Sequence, residues 1–246
     1  MSMIEAIISD IHSNLTALEA VLEDIDSIGV DRIVCLGDTV GYGPDPVDCL
    51  RLVMDRCDLA LLGNHEFAVL HDADGFNPIA EKAIAWTKEQ LRDRELLRFL
   101  SGLKAAELQG DRLYVHGSVR DPLLEYVRES ESYVAFRRIV EEIRQDFTVF
   151  DICFTGHNHR AFLGTEEGFI VPHPGVMRFN VRDAKLYVCV GAVGQPRDDD
   201  WRSSYVIFDG ESVEYRRVPY DVEKTASRIR DVGLDPFLAE RLFLGQ

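Results

Sequence analysis

Apolar residues in the first two thirds of this chain fall in short runs, and each run ends in a polar group able to bind a metal ion. Arg32 to Leu36 is apolar and partly β-branched, the pattern of a short buried strand, and it closes on Asp38 in a turn containing Gly37, Gly41 and Gly43. Four more runs repeat the pattern. Ile4 to Ser9 leads into Asp10 and His12, Leu59 to Leu62 into Gly63, Asn64 and His65, Leu113 to Val115 into His116, and Ile152 to Thr155 into His157 and His159. In open α/β sheets, ligands sit outside the carboxyl ends of the strands, so five such ends can converge on one crevice.

Between the runs the period changes to that of a helix. Asn14 is a good N-cap for a helix with Leu15, Leu18, Leu22 and Ile25 on one face, which gives a βαβ unit with the Asp38 strand. Pro44 and Pro46 lead into a helix over Val47 to Arg56. From Phe67 to Gly110 the pattern predicts helix, with Asn77 as cap, Pro78 at the first position, Ile79, Ala83, Trp86 and Leu91 as the apolar face, and a second short helix over Glu95 to Leu100. Val119 to Ser130 reads as a loop and Tyr133 to Phe147 as a helix. Beyond His159, strands are expected at Ala161 to Gly164, Phe169 to Val171, Lys185 to Val190, Ser204 to Phe208 and Ser212 to Val218. Their close spacing implies antiparallel pairing, hence two packed sheets with helices outside. A helical tail from about Val222 is broken near Gly233 and Pro236.

The 246 residues contain no linker-like or repeated segment, so a single domain spanning 1–246 is expected. No stretch approaches the roughly 20 apolar residues of a membrane span, and no basic segment with a following apolar run opens the chain, so the expected location is the cytoplasm. A net charge of -16 weighs against loose binding of nucleic acid, which relies on Lys and Arg at the phosphates. Cys35, Cys49, Cys57, Cys153 and Cys189 form no CxxC and read as reduced thiols.

The five strand ends offer carboxylate, amide and imidazole but no thiolate, a donor set for borderline divalent cations such as manganese, iron, zinc or cobalt. One carboxylate can bridge two ions, and Asp38 is the expected bridge. Asp10, His12 and one of the paired histidines then serve one ion, and Asn64, His116 and the other histidine its neighbour. Two such cations about 3.5 to 4 Å apart can clamp phosphate oxygens and activate water for in-line attack on phosphorus. Phosphoester hydrolysis is the expected chemistry, with a small phosphoester or nucleotide-like substrate.

The succession DIH, GDTVGYG, GNHE, VHG and GHNH resembles the calcineurin-like metallophosphoesterase superfamily. GYGPDP and GAVGQPRD extend the likeness to its small single-domain bacterial and archaeal phosphodiesterases. The resemblance implies an α/β fold, a four-layer αββα sandwich, and a binuclear centre. In it Asp10, His12 and His159 hold the first metal, Asn64, His116 and His157 the second, and Asp38 both. His65 matches the histidine that protonates the leaving oxygen. The protein-phosphatase branch carries GDxxDR, whose Asp orients that histidine and whose Arg grips the phosphate. Here Gly41 and Tyr42 stand in those places, which leaves the partner of His65 open, and Ala192 stands where many relatives have Ser.

Arg197 is a candidate for holding a substrate phosphate through its planar fork. The acidic run Asp198 to Asp200 reads as a solvated loop, and His71 and His173 fall outside every motif. A phosphodiesterase is the leading expectation. A phosphomonoesterase (including a protein phosphatase), a nuclease and a non-catalytic scaffold on the same fold are the alternatives.

Overall fold

The computed structural model describes residues 3–127, 150–165, 168–172, 177–180 and 185–246. The expected helix over Tyr133 to Phe147, the end of the loop that begins at Val119, and His173 lie outside these residues. Among the described residues, twelve strands form two six-stranded mixed sheets flanked by helices.

In the first sheet, β1 (Glu5–Ile8), β2 (Arg32–Cys35) and β3 (Leu59–Ala60) run parallel, and β11 (Ser203–Phe208), β12 (Ser212–Val218) and β9 (Met177–Asn180) continue it antiparallel from β1. In the second sheet, β5 (Arg112–Val115), β6 (Ile152–Thr155) and β10 (Leu186–Val190) are parallel. This trio is flanked by antiparallel β4 (Ala106–Gln109) on one side, and by β7 (Ala161–Thr165) and β8 (Gly168–Ile170) on the other.

Strand alternation divides the core. Ile7, Val34, Phe154, Val188, Val206 and Tyr215 fill the space between the sheets. Their sequence neighbours Ala6, Ile8 and Cys35 face the opposite way, against α1 (Leu15–Ile28), α6 (Val222–Asp231) and α7 (Pro236–Glu240). Each large apolar side chain so enclosed contributes about 1.5–3 kcal/mol relative to exposure. Behind the second sheet, Cys153, Phe162, Tyr187 and Cys189 pack with Val127 and Phe150.

Local signals explain most helix ends. The Asn14 side chain accepts the Ala17 N–H of α1 at 3.2 Å, Pro46 opens α2 (Pro46–Arg56), and Asn77 accepts the Ile79 and Ala80 N–H groups at the start of α4 (Pro78–Gln90). The short helix α5 (Arg94–Gly102) follows as expected.

Three expectations need correction. Helix α3 (Asn64–Leu70) begins at Asn64 rather than after Phe67, because the Glu66 carboxylate reaches back to the Gly63 N–H at 2.9 Å and caps it. The stretch up to Gly110 is not all helix: Ala106–Gln109 pairs with β5 through a two-residue turn at Gly110 and Asp111. The strand expected over Leu59 to Leu62 shrinks to two residues, with Leu61 making an isolated bridge to Lys104.

Candidate metal centre

The strand ends of both sheets meet at one place. Asp10 and His12 follow β1, Asp38 follows β2, Asn64 follows β3, His116 follows β5, and His157 and His159 follow β6. All seven side chains are buried. Asp10, His12, Asp38, His157 and His159 take left-handed backbone conformations, with φ between 48° and 65°. Such conformations cost about 1–3 kcal/mol each and persist only where surrounding contacts impose them.

Those contacts include hydrogen bonds between strand ends, across the two sheets at Asp10 and within the first sheet at Asp38. The His157 N–H donates to Asp10 Oδ2 at 2.9 Å, and the His65 N–H donates to Asp38 Oδ1 at 2.8 Å. Gly156, just before His157, lies so close to Asp10 that a Cβ built there would fall 2.5 Å from Oδ2. Glu66 ties the turn to α3 by accepting the N–H groups of Asp38 at 2.8 Å, Gly63 at 2.9 Å and Val40 at 3.0 Å.

The donor atoms then form two groups that share Asp38. In the first, His159 Nε2 lies 3.2 Å from Asp10 Oδ1 and 3.1 Å from His12 Nε2, which is 3.6 Å from Asp38 Oδ2. In the second, His116 Nε2 lies 3.3 Å from Asp38 Oδ2, 3.0 Å from Asn64 Oδ1 and 3.1 Å from His157 Nδ1. Ligands bound to one ion at about 2.0–2.2 Å sit about 3 to 3.5 Å apart, so these edges suit two metal sites.

Tautomers strengthen the fit. His12 Nδ1 faces the Val40 carbonyl at 3.1 Å and His159 Nδ1 the Gln195 carbonyl at 2.7 Å, so both rings donate there. Their Nε2 lone pairs therefore point at each other. Asp10 Oδ1 is buried beside them with no hydrogen-bond donor. His157 Nε2 donates to the Leu124 carbonyl at 3.2 Å, which likewise leaves Nδ1 as a lone pair in the second group. Opposed lone pairs around an orphaned carboxylate oxygen are what a cation would satisfy.

The electrostatics agree. Burial opposes ionisation of Asp10 and Asp38, yet the protonated His116 helps to hold both well below the usual carboxylate range. Burial above all pushes His12, His159 and His157 down, the last to about 3, with Arg197 adding to it at His159 and His116 at His157, so these rings are neutral ligands. His116 goes the other way: against burial, Asp38 lifts it to about 9, so a proton stands where a metal would otherwise supply the positive charge. Burial carries Glu66 up to about 7, with Asp38 adding to it.

His65 sits at the edge of this cluster, its ring centroid 4.7 Å from that of His12, 4.5 Å from Tyr42 and 5.1 Å from Phe76. Its Nδ1 is buried without a partner, and burial pushes the ring down to about 4. Among the described residues no carboxylate is bonded to that nitrogen, and aromatic rings flank the imidazole. Arg197 lies over the Tyr42 ring at 5.8 Å, donates to Gln195 Oε1 at 2.9 Å, and keeps a buried Nε with no acceptor. Its charge is close enough to depress both His65 and His159.

The acidic run after Arg197 is not simply a solvated loop: Asp198 pairs with Arg217 and Asp200 with Arg202, leaving Asp199 exposed. Asn14 is a cap, and it also joins Thr225 at 2.8 Å and the Gly194 carbonyl at 2.8 Å. His71 is exposed and packs only on Phe67 among the described rings. Sequence reasoning passed over Glu66, although the spacing from Gly63 was a capping-box signal. It also passed over Phe76 and Tyr126, which stand outside any periodic pattern.

Comparison with known proteins gives a consistent picture. The sequence model of the calcineurin-like phosphoesterase superfamily domain matches residues 3–212. An uncharacterized protein of Methanocaldococcus jannaschii is 39% identical over 250 residues, covering 98% of each chain. The crystal structure of a metallophosphoesterase from Sphaerobacter thermophilus is 36% identical, covers 100% of both chains and superposes with a TM-score of 0.87. A hypothetical protein from Pyrococcus horikoshii, 16% identical, shares the fold with a TM-score of 0.79 over 99% of this chain and 98% of its own.

Proposed function

The chain belongs to the calcineurin-like phosphoesterase superfamily, and from that premise we propose that it is a metal-dependent phosphodiesterase acting on a small or nucleotide-like phosphoester. The observation that carries the reading is the sharing of Asp38 between two buried donor groups. Asp10, His12 and His159 would hold one divalent cation, Asn64, His116 and His157 the other, and Asp38 both. Bound there, manganese, iron, zinc or cobalt would supply Lewis acidity toward phosphoryl oxygens and ease deprotonation of water near neutral pH.

The protein's own groups do the rest. Only Asp10 and Asp38 among the seven donors carry charge, so the loaded centre stays attractive to an anion. Arg197, with its unused Nε, is placed to receive a phosphoryl oxygen. His65 is neutral in the free protein; the negative charge of an arriving phosphoester raises its basicity, so that it takes up a proton from solvent and passes that proton to the leaving oxygen. Gly41 and Tyr42, in place of an Asp and an Arg, disfavour a protein phosphatase.

In this reading residues 1–246 work as one domain in the cytoplasm, consistent with five free cysteines and with the absence, among the described residues, of a helix able to cross a membrane. The test is hydrolysis of bis(p-nitrophenyl) phosphate beside p-nitrophenyl phosphate with manganese restored to stripped protein. Faster turnover of the diester is expected; faster turnover of the monoester would replace the phosphodiesterase with a phosphomonoesterase.

A further inference from the structure

Beside the metal centre lies a pocket of about 320 Å3. Its wall includes Asn64 and His157 from the second donor group, and three rings, Tyr42, Phe76 and Tyr126, with the Asp74 carboxylate at its rim. The volume falls at the small end of the range for ligand pockets, about 300–1,000 Å3.

We propose that this pocket binds the planar heterocyclic base of a nucleotide phosphoester on the aromatic wall formed by Tyr42, Phe76 and Tyr126. The inference rests on the phosphoesterase reading and adds the part of the substrate that is not phosphate.

The rings are held, not loose. Phe76 stands edge-on to His65, its plane 88° from the imidazole, and its N–H donates to the Ala73 carbonyl at 3.2 Å just before the cap of α4. Tyr126 stacks on His157 with centroids 3.8 Å apart and planes 25° apart, yet it remains 37% exposed. Tyr42 is fixed between His12 and His65. Fixed aromatic faces bind nucleobases because every base offers a π-face, at little conformational cost to the protein.

Charge gives the pocket a direction. Among the described residues no Lys or Arg lines it, and Asp74 would repel a phosphate. The neutral end of a substrate therefore belongs there, and a carboxylate at the rim can accept from an exocyclic amino group. Arg197 lies over the Tyr42 ring, where it suits the anionic end. Because Asn64 and His157 belong to both the pocket and the donor group, base and phosphorus would be separated by little more than a sugar.

The experiment is isothermal titration of manganese-loaded full-length protein with adenosine 5′-monophosphate and, separately, ribose 5-phosphate. The expected result is an affinity about ten-fold or more higher for the nucleotide, the size of one base–aromatic stack, with Phe76→Leu and Tyr126→Leu each reducing that ratio. Equal affinity of the two ligands for the unmodified protein overturns the proposal without needing either variant. So does a nucleotide preference that survives both substitutions in folded protein. Turnover of bis(p-nitrophenyl) phosphate, measured alongside, separates the two readings: turnover with no preference for the nucleotide removes the base pocket alone, whereas no turnover removes the phosphoesterase reading.

Discussion

Gly41 lies directly against the imidazole of His65: a Cβ built on Gly41 would fall 2.1 Å from Nδ1. The glycine also has φ +87°, which side-chain-bearing residues rarely adopt. Position 41 thus decides how His65 sits, through the space it leaves rather than a bond it makes. Gly41→Ala should push the ring off its place and lower kcat on a phosphodiester by about 100-fold, the usual consequence of misplacing a reacting group by about 1 Å. Metal content, measured by elemental analysis, should stay that of the unmodified protein. Full activity in Gly41→Ala would show that His65 does not need this position.

Glu66 touches none of the donor atoms, yet it accepts three backbone N–H groups that shape the Asp38 turn and the start of α3. An amide cannot accept from all three, since its nitrogen would face a donor. Glu66→Gln should therefore weaken metal binding by about 10–100-fold, as loss of groups that orient metal ligands does. Competition with a chelator reads this directly; an unaltered metal affinity would limit Glu66 to helix capping.

Glu5 joins the two sheets from β1. It is fully buried, pairs with Arg112 of β5, accepts the Tyr114 hydroxyl at 2.6 Å and lies 3.8 Å from Arg32 Nε. Glu5→Gln removes the charge that faces Arg112 and Arg32 from between the sheets, leaving Arg112 with Asp111 at 3.5 Å and Arg32 with Gln109 at 2.7 Å. The expected cost is about 2–4 kcal/mol in urea unfolding. A loss below 0.5 kcal/mol, on the order of an exposed pair, would mean that water screens the cluster.

Asp24 on α1 holds the first sheet from outside, with Arg216 at 2.8 and 3.0 Å and the Tyr205 hydroxyl at 2.6 Å. Partial burial resists its ionisation, but the hydrogen bonds from Arg216 and Tyr205 win and lower its pKa. A carboxyl lowered in the folded state stabilises fully above its unfolded pKa, about 4, and loses that contribution as pH falls through the folded value. The urea midpoint of Asp24→Asn should lie below that of the parent at pH 7, and the gap should narrow by pH 3. A gap of constant size would show that the charge of Asp24 contributes nothing.

The convergence of the seven side chains was legible because each ends a short apolar run, and five runs in one order restrict the geometry strongly. The parallel strands and the capped helices α1 and α4 were legible for the same reason: period and cap residue agree. β4 was hidden because AELQ alternates weakly and follows a long helical stretch, and its pairing depends on a turn two residues wide. β9 is a four-residue edge strand with too little sequence to show a period. Asp198 looked solvated because its partner, Arg217, is supplied by β12, and Asp200 because its partner, Arg202, two residues on and just before β11, is marked by no motif or period. The aromatic support of His65 arises from Phe76 and Tyr42, residues in separate loops that only the folded chain brings to one ring.

The measurement that bears most directly on a shared-Asp38 hydrolytic centre is a titration of metal-stripped protein with manganese, following bound metal and hydrolysis of bis(p-nitrophenyl) phosphate in the same samples, for the parent and for Asp38→Asn. The account predicts two bound equivalents, turnover that rises as the second fills, and loss of both tight binding and turnover in the variant. A single equivalent with full turnover, or turnover preserved in Asp38→Asn, would contradict it.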